Sequence, residues 1–400
     1  MLTIEQHLER VLALVGQLPA EQTPIGDGVG RVLADGLAAR LAVPPFDNSS
    51  MDGFAVRSAD VRQGARLRIV GDIPAGALSV PTVGEGEAAR IMTGAPFPPG
   101  ADAVAQVEIT DQPMGAVALP ESVQILESVA PGQFIRRAGD DVAVGDVVLP
   151  AGLRWTPAAG ASAASMGYAE VPLIRRPRVA IVATGAELVA AGQPLGFGQI
   201  PDSNSVLLAG LCRGWGADVA LSQVVDDDPD SFVAALSQAT AADLVLTTGG
   251  VSVGAFEVVR LVTEGTVEFV QVAMQPGKPQ AAGTLRTEDG RRVPMIGLPG
   301  NPVSVCVSAW AFVRPVLAKL GGWSGEWPSE QLPVAAGWSG PSGRRQFIPV
   351  VIGPDGVAPS HRLGSGSHLI ASLAVADGFA VVPEEVTRVE VGDTVAVHRF

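Results

Sequence analysis

Four hundred residues at a net charge of −14 leave room for about two to four domains and exclude the basic face that a nucleic-acid binder needs. Cys212 and Cys306 stand alone without CxxC spacing, and His7, His361, His368 and His398 are scattered, so neither a disulfide framework nor a zinc centre is indicated. No apolar run approaches the roughly 18 residues of a membrane span.

The chain opens on MLTIEQHLERVLALVGQLPA, which carries Glu5, Glu9 and Arg10 and sets Ile4, Leu8, Val11, Leu12, Val15 and Leu18 on one helical face. That is a helix that packs, not a signal peptide, and it points to the cytoplasm and away from membrane insertion. Residues 1–40 read as helical. From about 44 to 150 the texture changes to short β-like runs, RLRIV, AARIM and AVAQVEI, divided by GDIPAG, GAPFPPG and APGQ. Residues 151–176, with TPAAGASAASMGYAEV, return to alanine-rich helix. The β unit thus reads as an insertion into a helical segment built from both flanks.

From 177 to about 320 the pattern is strand, glycine loop, helix, repeated. PRVAIVATGAEL opens it, a helix follows with Asp202 or Ser203 as N-cap, and a second helix starts at Asp228 and Pro229. This is an α/β sandwich on a largely parallel sheet. GGWSGEWPSEQLP reads as a linker, and 332–400 as a compact β domain without a helix. The chain is therefore a multidomain α/β protein.

In an open α/β sheet, ligands bind beyond the carboxyl ends of the strands. Four segments end there: TGAEL, TTGGVSVG, MQPGKP and GLPGNPVS. Glycines such as Gly249 and Gly250 let a ligand approach the backbone, and Thr184, Thr248, Ser252 and Ser304 add hydroxyls. The set favours a phosphate or another oxyanion. Neither the P-loop nor the dinucleotide fingerprint is present, so the anion is not an ordinary nucleoside triphosphate or NAD. Gly-Val-Ser-Val-Gly at 250–254 also has the spacing of a hydrolase nucleophile elbow. No HGGG-type segment accompanies it, and His361 and His368 fall in the β domain, so Ser252 reads as a hydroxyl donor in an anion loop. A phosphate substrate generally needs Mg²⁺ on one or two carboxylates. Asp52 in FDNSSMDGF and Asp227 in VVDDDPD are the candidate ligands.

PPFDNSSMDGFAV (44–56), IMTGAPFPPGADAV (91–104), GQIPDSNS (198–205), TTGGVSVG (247–254), PGKP (276–279) and GLPGNPVS (297–304), in this order, resemble the molybdopterin molybdenumtransferase family. That family comprises bacterial MoeA and the E domain of gephyrin, and the resemblance covers nearly the whole chain. It implies a helical rod domain over 1–45 and 140–176, an inserted β domain over 46–139, a molybdopterin-binding α/β domain over 177–325 and a C-terminal β barrel over 330–400. It also implies a homodimer with shared clefts, and a reaction that takes molybdate and adenylated molybdopterin, delivered by a donor protein, inserts molybdenum and releases AMP. By position, Asp52, Glu187, Asp227 and Lys278 match the family's catalytic residues. Thr93, Asp141, Thr184, Gly249, Gly250, Ser252, Pro299, Asn301, Ser304 and Ser367 match its substrate-binding ones, with Asp52 and Thr93 facing the partner's α/β domain.

The chain departs from the family pattern at several charged positions. Gln271 and Gln275 stand where lysines are usual, Pro349 where an arginine is common, and Ala186 where an acid is common. Glu257 and Arg260 keep the charge of the family's Asp and Lys. Each preorganised charge lost at a transition state costs about 10²–10³ in rate unless a neighbour such as Arg344 or Arg345 compensates. The same losses suggest an alternative of another class, a gephyrin-like scaffold holding a peptide tail of a bacterial division, cytoskeletal or membrane protein.

Overall fold

Thr3 starts the first helix, α1 (Ile4–Ala13): its hydroxyl accepts from the Gln6 amide while the Gln6 side chain accepts from the Thr3 amide, a reciprocal cap. The computed structural model describes residues 1–115, 117–250, 258–287, 289–361 and 366–400. They form two compact units, a larger one of residues 1–21, 30–32 and 173–400 and a smaller one of 22–29 and 33–172. Helix ends at Ala13, and 20–24 and 37–38 are extended, which corrects the expectation of a helical 1–40. Gly16, Pro19, Pro24, Gly26 and Gly28 supply the reason, since such residues disfavour helix interiors.

The smaller unit holds β1 (Gly53–Val56), β2 (Arg66–Ile73), β3 (Glu87–Ile91), β4 (Ala103–Gln106) and β5 (Ser122–Gln124) in the order β4-β1-β3-β2-β5. Only the β2–β3 pair is parallel. Both faces are covered: Phe54, Val56 and Ala105 pack on one side, and Ala55, Ile91 and Val104 on the other. Within 151–176 helix is confined to α2 (Pro157–Ser165), capped by Thr156, whose hydroxyl accepts from the Ala159 amide, and followed by Gly167 at φ +90°.

The larger unit contains β6 (Arg178–Thr184), α3 (Asn204–Gly214), β7 (Asp218–Val225), α4 (Pro229–Ala239), β8 (Leu244–Thr248), α5 (Val258–Val262), β9 (Val267–Gln271), β10 (Pro279–Arg286) and β11 (Arg292–Leu298). The sheet order is β7-β6-β8-β11-β10-β9, the first four parallel and the last two antiparallel. Alternation along each strand fixes the layers. Val179, Ile181, Leu244, Leu246, Ile296 and Leu298 face α1 and α3, whereas Ala180, Val182, Val245, Val293 and Met295 face α4 and α5. Asp228 caps α4 by accepting from the Ser231 amide, as its sequence context indicates.

A long helical stretch follows: α6 (Pro302–Ser308), a π turn (Ala309–Val313) and α7 (Arg314–Gly321). Pro315 lacks the amide hydrogen that a regular α ladder needs, and the π turn lies immediately before it. Contrary to the sequence expectation, Pro302–Gly321 has the length and hydropathy of a membrane span, yet 78% of that window is buried and forms the core. The segment expected to be a linker is packed too. Trp327 stacks on Trp310 at 4.4 Å between ring centroids, its Nε1 donates to the Arg399 carbonyl, and Arg314 donates to the carbonyls of Gly325 and Glu326.

The C-terminal strands are β12 (Glu330–Pro333), β13 (Arg345–Gly353), β14 (Gly356–Pro359), β15 (Gly378–Val382) and β16 (Thr394–Arg399). They pair in the order β13-β15-β16-β12, with β14 on β13 and the two-residue strand Met274–Gln275 beside it. The path curls back on itself: Val334, just after β12, bridges to Val357 of β14, whose carbonyl accepts from the Ala335 amide at 2.8 Å, so a half-barrel sheet stands where the resemblance implied a β barrel. A short helix, α8 (Ile370–Leu373), interrupts the strands. Phe347 and Phe379 join the main core, and Ile348, Val350, Val382 and Val397 form a separate one.

Candidate active site

The four parallel strands end at one edge of the larger unit's sheet, and the loops there enclose a cavity of about 410 Å³. Thr184 at the end of β6, Thr248 and Gly249 at the end of β8, and Gly300 and Asn301 after β11 line it, with Glu187, Asp202 and Asn204. Asn204 ties three segments together: its Nδ2 donates to Thr248 Oγ1 at 2.9 Å and to the Gly300 carbonyl at 2.7 Å. Thr184 Oγ1 and Asn204 Oδ1 are buried with no partner among the described residues. Buried polar atoms are normally satisfied, so a cavity walled by two open ones suits a ligand with hydrogen-bonding groups.

Glycine is required where the backbone closes on itself. A Cβ on Gly249, at φ +88°, would lie 2.4 Å from the Thr184 carbonyl oxygen, and one on Gly250 would lie 2.4 Å from Val259 Cγ2. Glu187 folds back over Gly185, where a Cβ would come within 2.7 Å of its carboxylate. Asp227 Oδ2 accepts from the Ala186 amide at 3.1 Å and so fixes the same turn. Ser304 is buried in the first turn of α6, and the Ser367 carbonyl accepts from the Val303 amide, placing 366–370 against that helix start. Pro299 is buried at the end of β11.

Lys278 does not line the cavity, but topology puts it at the same edge. β10 runs antiparallel to β11 with Ala281 opposite Gly297, so it begins where β11 ends. Lys278 immediately precedes it. The turn is held by buried Gln280, whose Nε2 donates to the Gly277 carbonyl and to Ser308 Oγ, both at 2.7 Å. Arg344 Nη1 donates to Gln275 Oε1 at 3.1 Å, bringing a cation to one of the positions that lacks a lysine. Arg345 is committed elsewhere, to Glu5 at 2.6 Å and Glu384 at 3.0 Å. Pro349 is buried within β13 opposite Phe379, and Gln271, at the end of β9, is exposed.

The smaller unit carries a second group. Asp52 precedes β1 and Thr93 follows β3, and these strands pair with Gly53 opposite Ile91. Asp52 Oδ1 accepts from both the amide and the hydroxyl of Thr93, each at 2.7 Å. The amide bond first, then the hydroxyl bond, hold this carboxyl below the ordinary carboxylate range. Gly53 is required beside it, because a Cβ would lie 2.2 Å from the Ala105 carbonyl oxygen. Asp141 is exposed, and its amide donates to the Val43 carbonyl.

Ser252 and Glu257 lie outside the described residues. Cys212 and Cys306 are buried free thiols, each pushed up to about 12 by desolvation, so neither is a nucleophile at neutral pH. Among the described residues no three His, Cys, Asp or Glu side chains converge on a metal position. Asn204 and His368 were missed in the sequence. GQIPDSNS read as a helix cap, and His368 read as part of the β domain, yet both line the cavity.

Three family models span the chain in order: the MoeA N-terminal region (domains I and II) over residues 2–167, a probable molybdopterin binding domain over 180–319 and the MoeA C-terminal region (domain IV) over 331–400. A molybdopterin molybdenumtransferase 2 of Mycobacterium tuberculosis is 39% identical over 99% of both chains. The molybdopterin molybdenumtransferase of Haemophilus influenzae is 36% identical over 100% of this chain and 99% of its own. The crystal structure of a molybdopterin biosynthesis MoeA protein from Pyrococcus horikoshii superposes with a TM-score of 0.83 at 30% identity, covering 100% of this chain and 99% of that one. With the likeness running end to end in sequence and in structure, the chain belongs to the MoeA family of molybdopterin molybdenumtransferases.

Proposed function

We propose that this protein inserts molybdate into adenylated molybdopterin with release of AMP, as a step of molybdenum cofactor biosynthesis. The observation that carries this reading is the cavity at the strand ends, with hydroxyls, bared glycine backbone and two unsatisfied buried polar atoms in its walls. Such walls suit an oxyanion and a polar heterocycle, and they do not fit a nucleophilic mechanism through cysteine. Lys278 supplies a positive charge at the same edge, and Arg344 on Gln275 answers part of the loss of basic residues. That compensation favours the enzyme over the scaffold.

Asp52 and Asp227 are exposed carboxylates, each with one oxygen held by hydrogen bonds, a chemistry that fits a hard cation such as Mg²⁺. Bound with the substrate, Mg²⁺ would neutralise phosphate charge. Thr93 holds Asp52 ionised and oriented, and the Ala186 amide orients Asp227. The reading also includes a cytoplasmic homodimer in which Asp52 and Thr93 of one chain face the partner's α/β site, and a separate donor protein that supplies the adenylated substrate.

The test is AMP release by purified protein given adenylated molybdopterin, Mg²⁺ and molybdate. Molybdate-dependent release is expected, falling about 10²–10³-fold in Lys278→Ala and in Asp52→Ala. Folded protein that releases no more AMP than these variants would sink the reading.

A further inference from the structure

A second cavity of about 410 Å³ lies at the opposite end of the same sheet, where β10 ends and β11 begins. Its walls carry three guanidinium groups, Arg10, Arg286 and Arg292, against one carboxylate, Glu268. Arg10 and Glu268 pair with each other at 2.9 Å and cancel. Arg286 and Arg292 remain. They are direct cross-strand partners, so both project from one face of the hairpin, and neither has a partner among the described residues. Like charges placed directly opposite repel, and here they do so in a protein whose net charge is −14. Thr284, two residues along β10, presents its hydroxyl on the same face. His7, on α1, stands in the wall at 1% exposure, and its Nε2 has no partner.

We propose that this cavity binds a small phosphomonoester, with its dianionic head between Arg286 and Arg292. Two guanidiniums about 5 Å apart at their Cβ atoms converge on one compact dianion better than on two separate carboxylates, and arginine's planar fork matches phosphate oxygens. The cavity is larger than a bare phosphate, which leaves space for the organic part between α1 and the strands. The site is separate from the strand-end cavity, which carries the reaction proposed above.

Calorimetric titration of the full-length protein with glycerol phosphate, inorganic phosphate and glycerol tests this. Glycerol phosphate should bind more tightly than inorganic phosphate, and glycerol not at all. The Arg286→Gln/Arg292→Gln double variant should weaken glycerol phosphate at this site at least about tenfold while keeping any binding event at the strand carboxyl ends. Its AMP release should be unchanged. Its melting temperature without ligand should equal or exceed the parent's, because a repulsive pair has gone, which separates lost binding from lost folding. Equal isotherms for parent and variant would overturn the proposal. So would a loss of affinity that comes only with a change of oligomeric state in sedimentation, which would assign the arginines to contacts between copies.

Discussion

Asn204 has a structural task that its neighbours do not share. Its Nδ2 reaches Thr248 and Gly300, 44 and 96 residues away in the chain, and it is 7% exposed. Removing it leaves the Gly300 carbonyl and the Thr248 hydroxyl short of a donor, which costs about 1–3 kcal/mol. Asn204→Asp is the sharper test, because it turns a carboxylate oxygen toward the Gly300 carbonyl. Urea denaturation should show Asn204→Asp less stable than Asn204→Ala, and both should lower AMP release. Equal stability of all three proteins would remove the tie. At this scale the sequence was only partly informative. Asp52 and Thr93 were legible as motif residues, and their mutual hydrogen bonds follow from the β1–β3 register. Asn204 was not, because a polar residue at a helix start is ordinary and only the fold brings Thr248 and Gly300 to it.

The elements are held at their other ends by charge. Asp243, immediately before β8, accepts from two Arg175 nitrogens at 2.6 Å each and from the Arg178 amide at 2.8 Å. Burial pushes its carboxyl up, but the Arg175 hydrogen bonds, the Arg178 amide and the two positive charges outweigh that and leave it below the ordinary range. A carboxyl lowered in the folded state lends stability that is complete above its unfolded value, about 4, and lost as pH falls through the folded value. Asp243→Asn should therefore destabilise the protein by about 1.5–3 kcal/mol at pH 7 and flatten the acid limb of a stability-versus-pH curve. A variant curve parallel to the parent's would refute this assignment. Strand and helix identities here were readable from apolar β-branched runs that end in glycine loops and from caps, as β6, β8 and Asp228 show. The packed segment at 322–329 was not: glycine, serine and proline signal a loop, and nothing local says that Trp327 will find Trp310.

The whole molecule divides in a way that composition does not announce. The N-terminal helix belongs to the unit formed mainly by 173–400, while the chain between builds the other. The inserted β texture was legible, but the allegiance of α1 depends on contacts such as the His7–Phe312 ring pair at 4.6 Å and the Lys319 Nζ bond to the Leu12 carbonyl at 2.9 Å. Periodicity identifies an apolar helix face without saying what will cover it. Likewise the apolar stretch 302–321 has the composition of a membrane span and the environment of a core.

That allegiance sets a schedule for synthesis. α1 leaves the ribosome about 300 residues ahead of Phe312, which it packs against, an interval of some 15–60 s at typical elongation rates. During that interval Ile4, Val11 and Val15 have no native surface to cover them, while the 33–172 unit can already close. Pulse proteolysis of stalled nascent chains should find the smaller unit protected once it has emerged, and α1 cleavable until residues beyond 312 have cleared the exit tunnel. Early protection of α1 would mean that it first docks somewhere else. Otherwise α1 waits for the segment around Phe312, and its apolar face stays open to chaperones and proteases until then.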